Sequence, residues 1–262
     1  MTRPIRLAIS GASGRMGRAL LDLAREDGRF ELVAAIVSPH SARLGKSAYG
    51  DVSAWKFTDW RGAEDIDVVI DFSGPDGLML ALDHCEGSGA ALVTGTTGLS
   101  AELERRLARA AERIPVLRAA NFSLGVAVLT RLLRDAAAAL PGWDLDIVEA
   151  HHHRKEDAPS GTALALGRAA ADARGATLED LAVYTREGRP GARKAGTIGF
   201  AVVRGGDIVG EHQALLMGQG ERIELGHRAT DRSIFARGAI EAAAWIAGRA
   251  PGTWTIEDVI VP

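Results

Sequence analysis

The first half of the chain alternates between two hydrophobic periods. Ile5-Arg6-Leu7-Ala8-Ile9-Ser10 reads as a strand, and the turn Gly11-Ala12-Ser13-Gly14-Arg15-Met16-Gly17 opens a segment in which Leu20, Leu21, Leu23 and Ala24 recur at helical spacing. Glu31 to Val37 is a second apolar run, and Asp67 to Phe72 reads as a strand buried on both faces. Ala91 to Thr94 and Ile114 to Leu117 follow, each separated from its predecessor by a helical stretch. Strands alternating with helices predict an α/β fold, a Rossmann-like doubly wound parallel sheet. Ligands in such sheets sit at the carboxyl ends of strands, where Ser73-Gly74-Pro75, Gly95-Thr96-Thr97-Gly98 and Ala120-Asn121-Phe122 fall.

Past Phe122 the pattern changes. A helix over Val126 to Leu140 leads to a strand from Trp143 to Glu149, whose Leu145 and Ile147 alternate with Asp144 and Asp146. A further helix is expected after Ser160, a good N-cap before an alanine- and leucine-rich run, with Pro159 keeping Ala158 extended. Ile198 to Val203, Ile208 to Met217 and Arg222 to Leu225 then read as strands, with Gly205-Gly206 and Gly218 to Gly220 at the turns. Hairpins are expected here in place of crossovers. The expected domains are therefore 1–122, dinucleotide-binding, and 123–231, a second α+β domain for substrate binding and oligomerisation. Residues 232–262 contain a helix from Ser233 whose apolar side is Ala239, Ile240, Ala243, Ala244, Ile246 and Ala247. The basic, glycine-rich stretch Arg186 to Lys194 reads as a mobile solvated connection, with closure over an anionic substrate as the sharper alternative.

Composition narrows the function classes. At 262 residues, 47% hydrophobic and 25% charged, the chain is an ordinary globular protein long enough for one large or two modest domains. Its net charge of −3, with arginines spread along the chain, gives no general field for nucleic acid. No run approaches the about 18 consecutive apolar residues of a membrane helix. The single Cys85 can form no internal disulfide, and the amino-terminal segment reads as a strand rather than a signal peptide, so a cytoplasmic location is expected.

The densest chemistry lies in His151-His152-His153-Arg154-Lys155-Glu156-Asp157-Ala158-Pro159-Ser160-Gly161-Thr162, at a strand's end and a helix's start. The helix start offers backbone N–H groups of Gly161 and Thr162 and the positive end of the dipole to a carboxylate or phosphate. The imidazoles titrate near neutrality and Lys155 adds a cation, so the stretch pairs an anion site with proton donors. A charged, solvated loop closed by an ordinary N-cap is the plainer alternative. A metal is not expected, because consecutive residues of an extended segment point to opposite faces and at most two of the three histidines could share one. The glycine turn at residues 11–17, G-x-x-G-x-x-G, suits a dinucleotide pyrophosphate but also occurs in turns that bind nothing.

The stretch Glu149 to His152, Lys155 and Asp157 to Ala163 closely resembles the signature of the bacterial 4-hydroxy-tetrahydrodipicolinate (dihydrodipicolinate) reductase family. Gly11 to Gly17, Gly95 to Gly98, Ala119 to Ser123, Gly196 to Phe200 and Gly206 to His212 resemble further family segments, in family order across nearly the whole chain. The resemblance implies reduction of 4-hydroxy-tetrahydrodipicolinate to tetrahydrodipicolinate with loss of water, in lysine biosynthesis via diaminopimelate. It implies that His151 is the catalytic acid/base, that Lys155 is a proton donor, and that His152, Ser160, Gly161 and Thr162 bind the dicarboxylate substrate. It also implies that NADPH or NADH is bound by Gly11, Ala12, Ser13, Gly14, Arg15, Met16, Ser38, Gly95, Thr96, Thr97, Ala119, Ala120, Asn121 and Phe122. Residues 232–262 should rejoin the first domain, with a hinge near 122–124 and 230–232, and the family is typically tetrameric. One departure concerns the cofactor. Many members carry an acid at the end of the second strand, whereas Ala35-Ile36-Val37-Ser38-Pro39-His40 has none. With Ser38 as a donor and His40, Arg15, Arg18 or Arg43 available to a 2′-phosphate, NADPH should be accepted at least as well as NADH.

Two other readings stand beside this one. A semialdehyde dehydrogenase would need a cysteine nucleophile, and the sole Cys85 lies in a helical segment. A dinucleotide-binding redox sensor would have no use for the His151 to Thr162 stretch.

Overall fold

Leu7, Ala8 and Ile9 are all inaccessible to solvent, as in a strand covered on both sides, and they lie on β1 (Ile5–Ser10). The structure is a computed structural model describing residues 3–49 and 55–261. After the glycine turn comes α1 (Arg15–Glu26), then β2 (Phe30–Ile36), β3 (Phe57–Thr58), β4 (Val68–Asp71), α2 (Pro75–Ser88), β5 (Ala91–Thr94), α3 (Ala101–Ala110) and β6 (Pro115–Arg118). All these strands pair in parallel, in the order β6-β5-β4-β1-β2-β3. The chain runs outward from β1 to β2 and β3, then crosses to β4 on the other side of β1. A crevice therefore opens beyond the carboxyl ends of β1 and β4, the usual ligand position of a doubly wound sheet.

The period of two divides the core. Leu7, Ile9, Ile70 and Val93 pack with Leu20 and Leu21 of α1, while Ala8, Val69 and Leu92 face Leu78, Leu82, Leu103 and Leu107 of α2 and α3. Each of the leucines, isoleucines and valines among these contributes roughly 1.5–3 kcal/mol by leaving water, the usual worth of full burial.

The second unit, Gly125–Arg232, has its own core. It contains most of α4 (Leu124–Ala139), then β7 (Asp144–His151), α5 (Gly161–Ala173), α6 (Leu178–Leu181), β8 (Ala182–Val183), β9 (Ile198–Arg204), β10 (Gly210–Met217) and β11 (Arg222–Ala229). Leu145 and Ile147 of β7 pack with Leu129 and Leu133 of α4 and with Ala163 and Leu166 of α5. The expectation of hairpins throughout needs correction. The sheet order is β11-β10-β7-β9-β8, with β7 parallel to β9 and antiparallel to β10, so only β10 and β11 form a hairpin, at Gly218 to Gly220. Gly205 and Gly206 instead start a connection that passes over β7. The expected mobile loop at 186–194 is also pinned. Arg186 donates to Asp146 at 3.0 and 3.1 Å, and Arg193 pairs with Asp146 at 2.7 Å and Asp144 at 3.0 Å.

From Ser233 the chain is again part of the first unit, which comprises Met1–Leu124 and Ser233–Pro262. It forms α7 (Ser233–Ile246), β12 (Gly252–Trp254), parallel to β6, and α8 (Ile256–Val259). Ala239, Ile240, Ala243 and Ile246 of α7 join the core on the α1 side of the sheet. A Cβ at Gly238 would stand 1.7 Å from the Phe122 carbonyl oxygen, so this backbone contact requires glycine.

Candidate active site

In the first unit Gly11, Ser13, Gly14 and Ser38 line one groove of about 480 Å³, together with Ser41, Trp60, Asp76, Gly77 and Leu80. The glycine spacing has a steric cause. Gly11 has φ +76°, and a Cβ there would meet the Phe72 carbonyl oxygen at 2.7 Å; one at Gly17 would meet the Gly11 carbonyl oxygen at 2.3 Å. Gly14 caps α1 with no side-chain acceptor, so the N–H groups of its first turn are not claimed by the cap residue. Such a turn fits a pyrophosphate. Ser38 is exposed, and its hydroxyl accepts from His40 N at 3.3 Å while its carbonyl accepts from Ser41 N at 2.8 Å, a tight turn at the groove's rim.

Gly95, Thr96 and Thr97 line a second groove with Phe72, Ser73 and Gly74. Beneath it Asp71, fully buried, accepts hydrogen bonds from Ser73 Oγ, from Thr94 Oγ1 at 3.1 Å and from Thr96 Oγ1 at 2.7 Å. Thr96 is thus committed to holding the loops, and Thr97 is the exposed member. Ala12, Ala119 and Phe122 are also buried, with the Phe122 ring 5.4 Å from that of Phe72. Arg15 and Ala120 are exposed, Met16 is half-buried, and Asn121 Oδ1 accepts from Ser123 N at 2.8 Å. Residues 119–122 lie outside the linings of both grooves.

In the second unit the three histidines separate. His151 Nδ1 lies 2.6 Å from Glu149 Oε2, His153 Nδ1 lies 2.9 Å from the Gly206 carbonyl oxygen, and His152 is half-buried. Glu149 and His151 follow Leu145 and Ile147 on one face of β7, so the strand that fixes the core also fixes the imidazole. Glu149 is 1% exposed and also accepts from both terminal nitrogens of Arg204, at 2.7 and 2.8 Å, and from Ser160 N at 2.9 Å. Burial alone would raise its pKa; Arg204, His151 and the Ser160 N–H outweigh that and hold it below the ordinary carboxylate value. Lys155 Nζ donates to the Asp157 carboxylate at 2.7 and 2.8 Å, which lowers the Asp157 pKa. Burial and the charges of Arg232, Arg154, His151 and Lys155 lower that of His152.

Ser160 is buried and caps α5, its hydroxyl accepting from Ala163 N at 3.1 Å and lying 3.0 Å from His212 Nε2. Its own N–H is taken by Glu149. Ser160 therefore supports the turn from beneath, and Gly161 is exposed, with nothing within 4 Å of where a Cβ would stand. Thr162 is half-buried beside it. Sequence reasoning leaves out Glu149, Arg204 and His212 as site residues, along with Trp60 and Asp71 in the first unit. Cys85 is fully buried on α2, and burial raises its thiol pKa, so it provides no nucleophile.

A parallel doubly wound sheet with an uncapped glycine turn is a frame on which oxidoreductases bind nicotinamide nucleotides. A titratable ring, a lysine and an open helix start in the other unit suit a small substrate bearing carboxylates. The class is thus an oxidoreductase of small acids, and sequence comparison gives the family. Residues 5–122 match the N-terminal profile and residues 125–260 the C-terminal profile of dihydrodipicolinate reductase. The chain belongs to this family. It is 48% identical over 262 residues to the 4-hydroxy-tetrahydrodipicolinate reductase of Thiobacillus denitrificans, covering 98% of each chain. It is 46% identical over 268 residues to that of Acinetobacter baumannii, covering 99% of this chain and 97% of the other. The fold matches dipicolinate-bound dihydrodipicolinate reductase from Paenisporosarcina sp. TG-14 with a TM-score of 0.80, 24% identity, and coverage of 98% and 100%. The chain's activity is 4-hydroxy-tetrahydrodipicolinate reduction, an oxidoreductase step in lysine biosynthesis through diaminopimelate. Among the described residues no helix is long and apolar enough to cross a membrane.

Proposed function

We propose that the chain reduces its substrate with NADPH or NADH bound along the two grooves of the first unit, and that His151 and Lys155 supply the protons. The residues present fit the cofactor: an uncapped α1 start beside three closely packed glycines, and an exposed Ser38 in a segment, residues 35–40, that carries no acid at the end of β2. When bound, the reduced nicotinamide supplies a hydride. The remaining balance is one proton taken up and one water released, because the ring hydroxyl must leave protonated. His151 Nε2 and Lys155 Nζ are the groups able to give and regain that proton.

The observation that carries the reading is the arrangement around the start of α5. His151 is held on Glu149, Lys155 on Asp157, and both lie close enough for their charges to act on His152 and His212. Gly161 and Thr162 at that helix start hold a carboxylate of the substrate, with His152 beside them, and Ser160 fixes the turn. A dicarboxylate such as the dipicolinate of the Paenisporosarcina complex has the chemistry this site suits. The chain works in the cytoplasm as a homotetramer assembled through the second unit.

The test is the oxidation of NADPH or NADH as pyruvate and aspartate semialdehyde condense in the cuvette. His151→Gln and Lys155→Ala should each lower kcat by about 10²-fold or more, the usual worth of a positioned acid or base. Cofactor Kd should stay within about twofold. Parallel collapse of cofactor binding would place these residues in the nucleotide site and refute the assignment.

A further inference from the structure

We propose that Glu149 is a positioning residue for this reaction, one carboxylate that fixes the proton on His151 Nδ1 and ties both proton donors to the start of α5. The proposal rests on the reading of His151 as an acid/base. An ionised carboxylate accepts at about four lone-pair sites and donates nothing. Here all four are filled, by His151 Nδ1, two nitrogens of Arg204 and the Ser160 N–H.

Two consequences follow from that saturation. Glu149 has no acceptor left for substrate, so it acts through its neighbours. The hydrogen on His151 stays on Nδ1 in either charge state of the ring, because only a donor can face Oε2. Nε2 is then the one ring atom that gains or loses a proton. Space is kept for it by Gly210, where a Cβ would stand 3.0 Å from Nε2.

The second half of the device runs through Arg204. Its Nη2 also donates to the Asp157 carbonyl oxygen at 2.6 Å, and the Asp157 carboxylate accepts from Lys155. From Glu149 one path therefore leads directly to His151, a second to Lys155 through Arg204 and Asp157, and a third to the capped start of α5 through Ser160. A buried ion pair adds little to stability compared with apolar packing, so this one is better explained by the geometry it imposes.

The experiment uses the full-length protein. ¹⁵N NMR of the imidazoles, with His151 assigned by the signals lost in His151→Gln, should show a protonated Nδ1 and an unprotonated Nε2 in neutral wild type. Glu149→Gln puts an amide donor into the cluster and should disturb this tautomer. It should also lower kcat by about 10²-fold, the scale of losing an oriented acid or base, while cofactor KM stays within about twofold. Glu149→Asp, which keeps the carboxylate, should recover part of the loss. A neutral His151 ring in wild type that carries its hydrogen on Nε2 overturns the proposal even if Glu149→Gln fails to fold. So does a folded Glu149→Gln with kcat within about threefold of wild type, which is what a purely structural ion pair would leave. If His151→Gln itself keeps full kcat, it is the acid/base reading that fails, and the tautomer measurement separates the two cases.

Discussion

Acid stability provides a direct test of the burial around β7. His212 on β10 is 5% exposed, its Nε2 lies 3.0 Å from Ser160 Oγ, and its ring centre is 5.2 Å from that of His151. Burial first, then the charges of His151, His227 and Lys155, outweigh the attraction of Glu149 and push its pKa from 6.5 down to about 4. Between those values the unfolded chain binds a proton that the folded chain does not, so unfolding takes one up. The stabilising contribution is complete above pH 6.5 and is lost as pH falls towards 4. At roughly 1.4 kcal/mol per pH unit the whole window is worth about 3 kcal/mol, of which about 2.5 kcal/mol falls between about pH 7.5 and pH 4.5. His212→Asn keeps a polar group near Ser160 but cannot titrate. Urea unfolding of both proteins at those two pH values, at constant ionic strength and followed by circular dichroism and tryptophan fluorescence, isolates the term for His212 and its coupled neighbours because groups remote from it cancel. Wild type should lose about 2.5 kcal/mol more than the variant on acidification. A difference below about 0.5 kcal/mol would mean that the folded protein accommodates the imidazolium, and the argument from burial would be wrong.

Two further outcomes follow from the binding groups. Gly161→Val introduces a side chain into open space, so folding should be unaffected while KM for the substrate rises about tenfold or more, the worth of a hydrogen bond to a charged group; a dicarboxylate inhibitor that binds the variant as tightly as wild type would place the anion elsewhere. NADPH should be used at least as well as NADH, and Ser38→Glu, at an exposed rim position, should move the kcat/KM ratio towards NADH by about tenfold through repulsion of the 2′-phosphate. A clear wild-type preference for NADH at matched ionic strength refutes that account.

The parallel sheet was legible because its strands are continuous apolar runs, and β5 falls on the residues its run marks. The order of the second sheet was not. Alternation reports which face of a strand is buried but not which strands flank it. Leu145 and Ile147 face the same core whether β7 is an edge or lies, as it does, between β9 and β10. β3, β8 and β12 are two or three residues long, too short to show a period. The 186–194 segment has the composition of a solvated loop, and its anchors, Asp144 and Asp146, lie 40 residues or more upstream in sequence, so no local pattern announces them.

The site was legible in its donors and hidden in its acceptor. Read along the chain, His151 to Thr162 is a run of cations and a helix start, and the anion it calls for is, on the proposed reading, that of the substrate. The strand's period points to a second anion. Leu145, Ile147, Glu149 and His151 alternate onto one face, so an acid occupies a position where the pattern demands an apolar group. A carboxylate buried in that way is tolerable only with donors on every side. Those donors come from three separate stretches: Arg204 from β9, Ser160 from the α5 cap and His151 from the strand itself. The consequence reaches the chemistry, because the Ser160 N–H and both terminal nitrogens of Arg204 are spent inside the protein. On the proposed reading, the substrate's carboxylate would then fall to the helix start from Gly161 onward and to the histidine and lysine beside it. An acid on the apolar face of a strand, two residues before a titratable ring, is thus the sequence mark of an internal counter-ion rather than of another ligand.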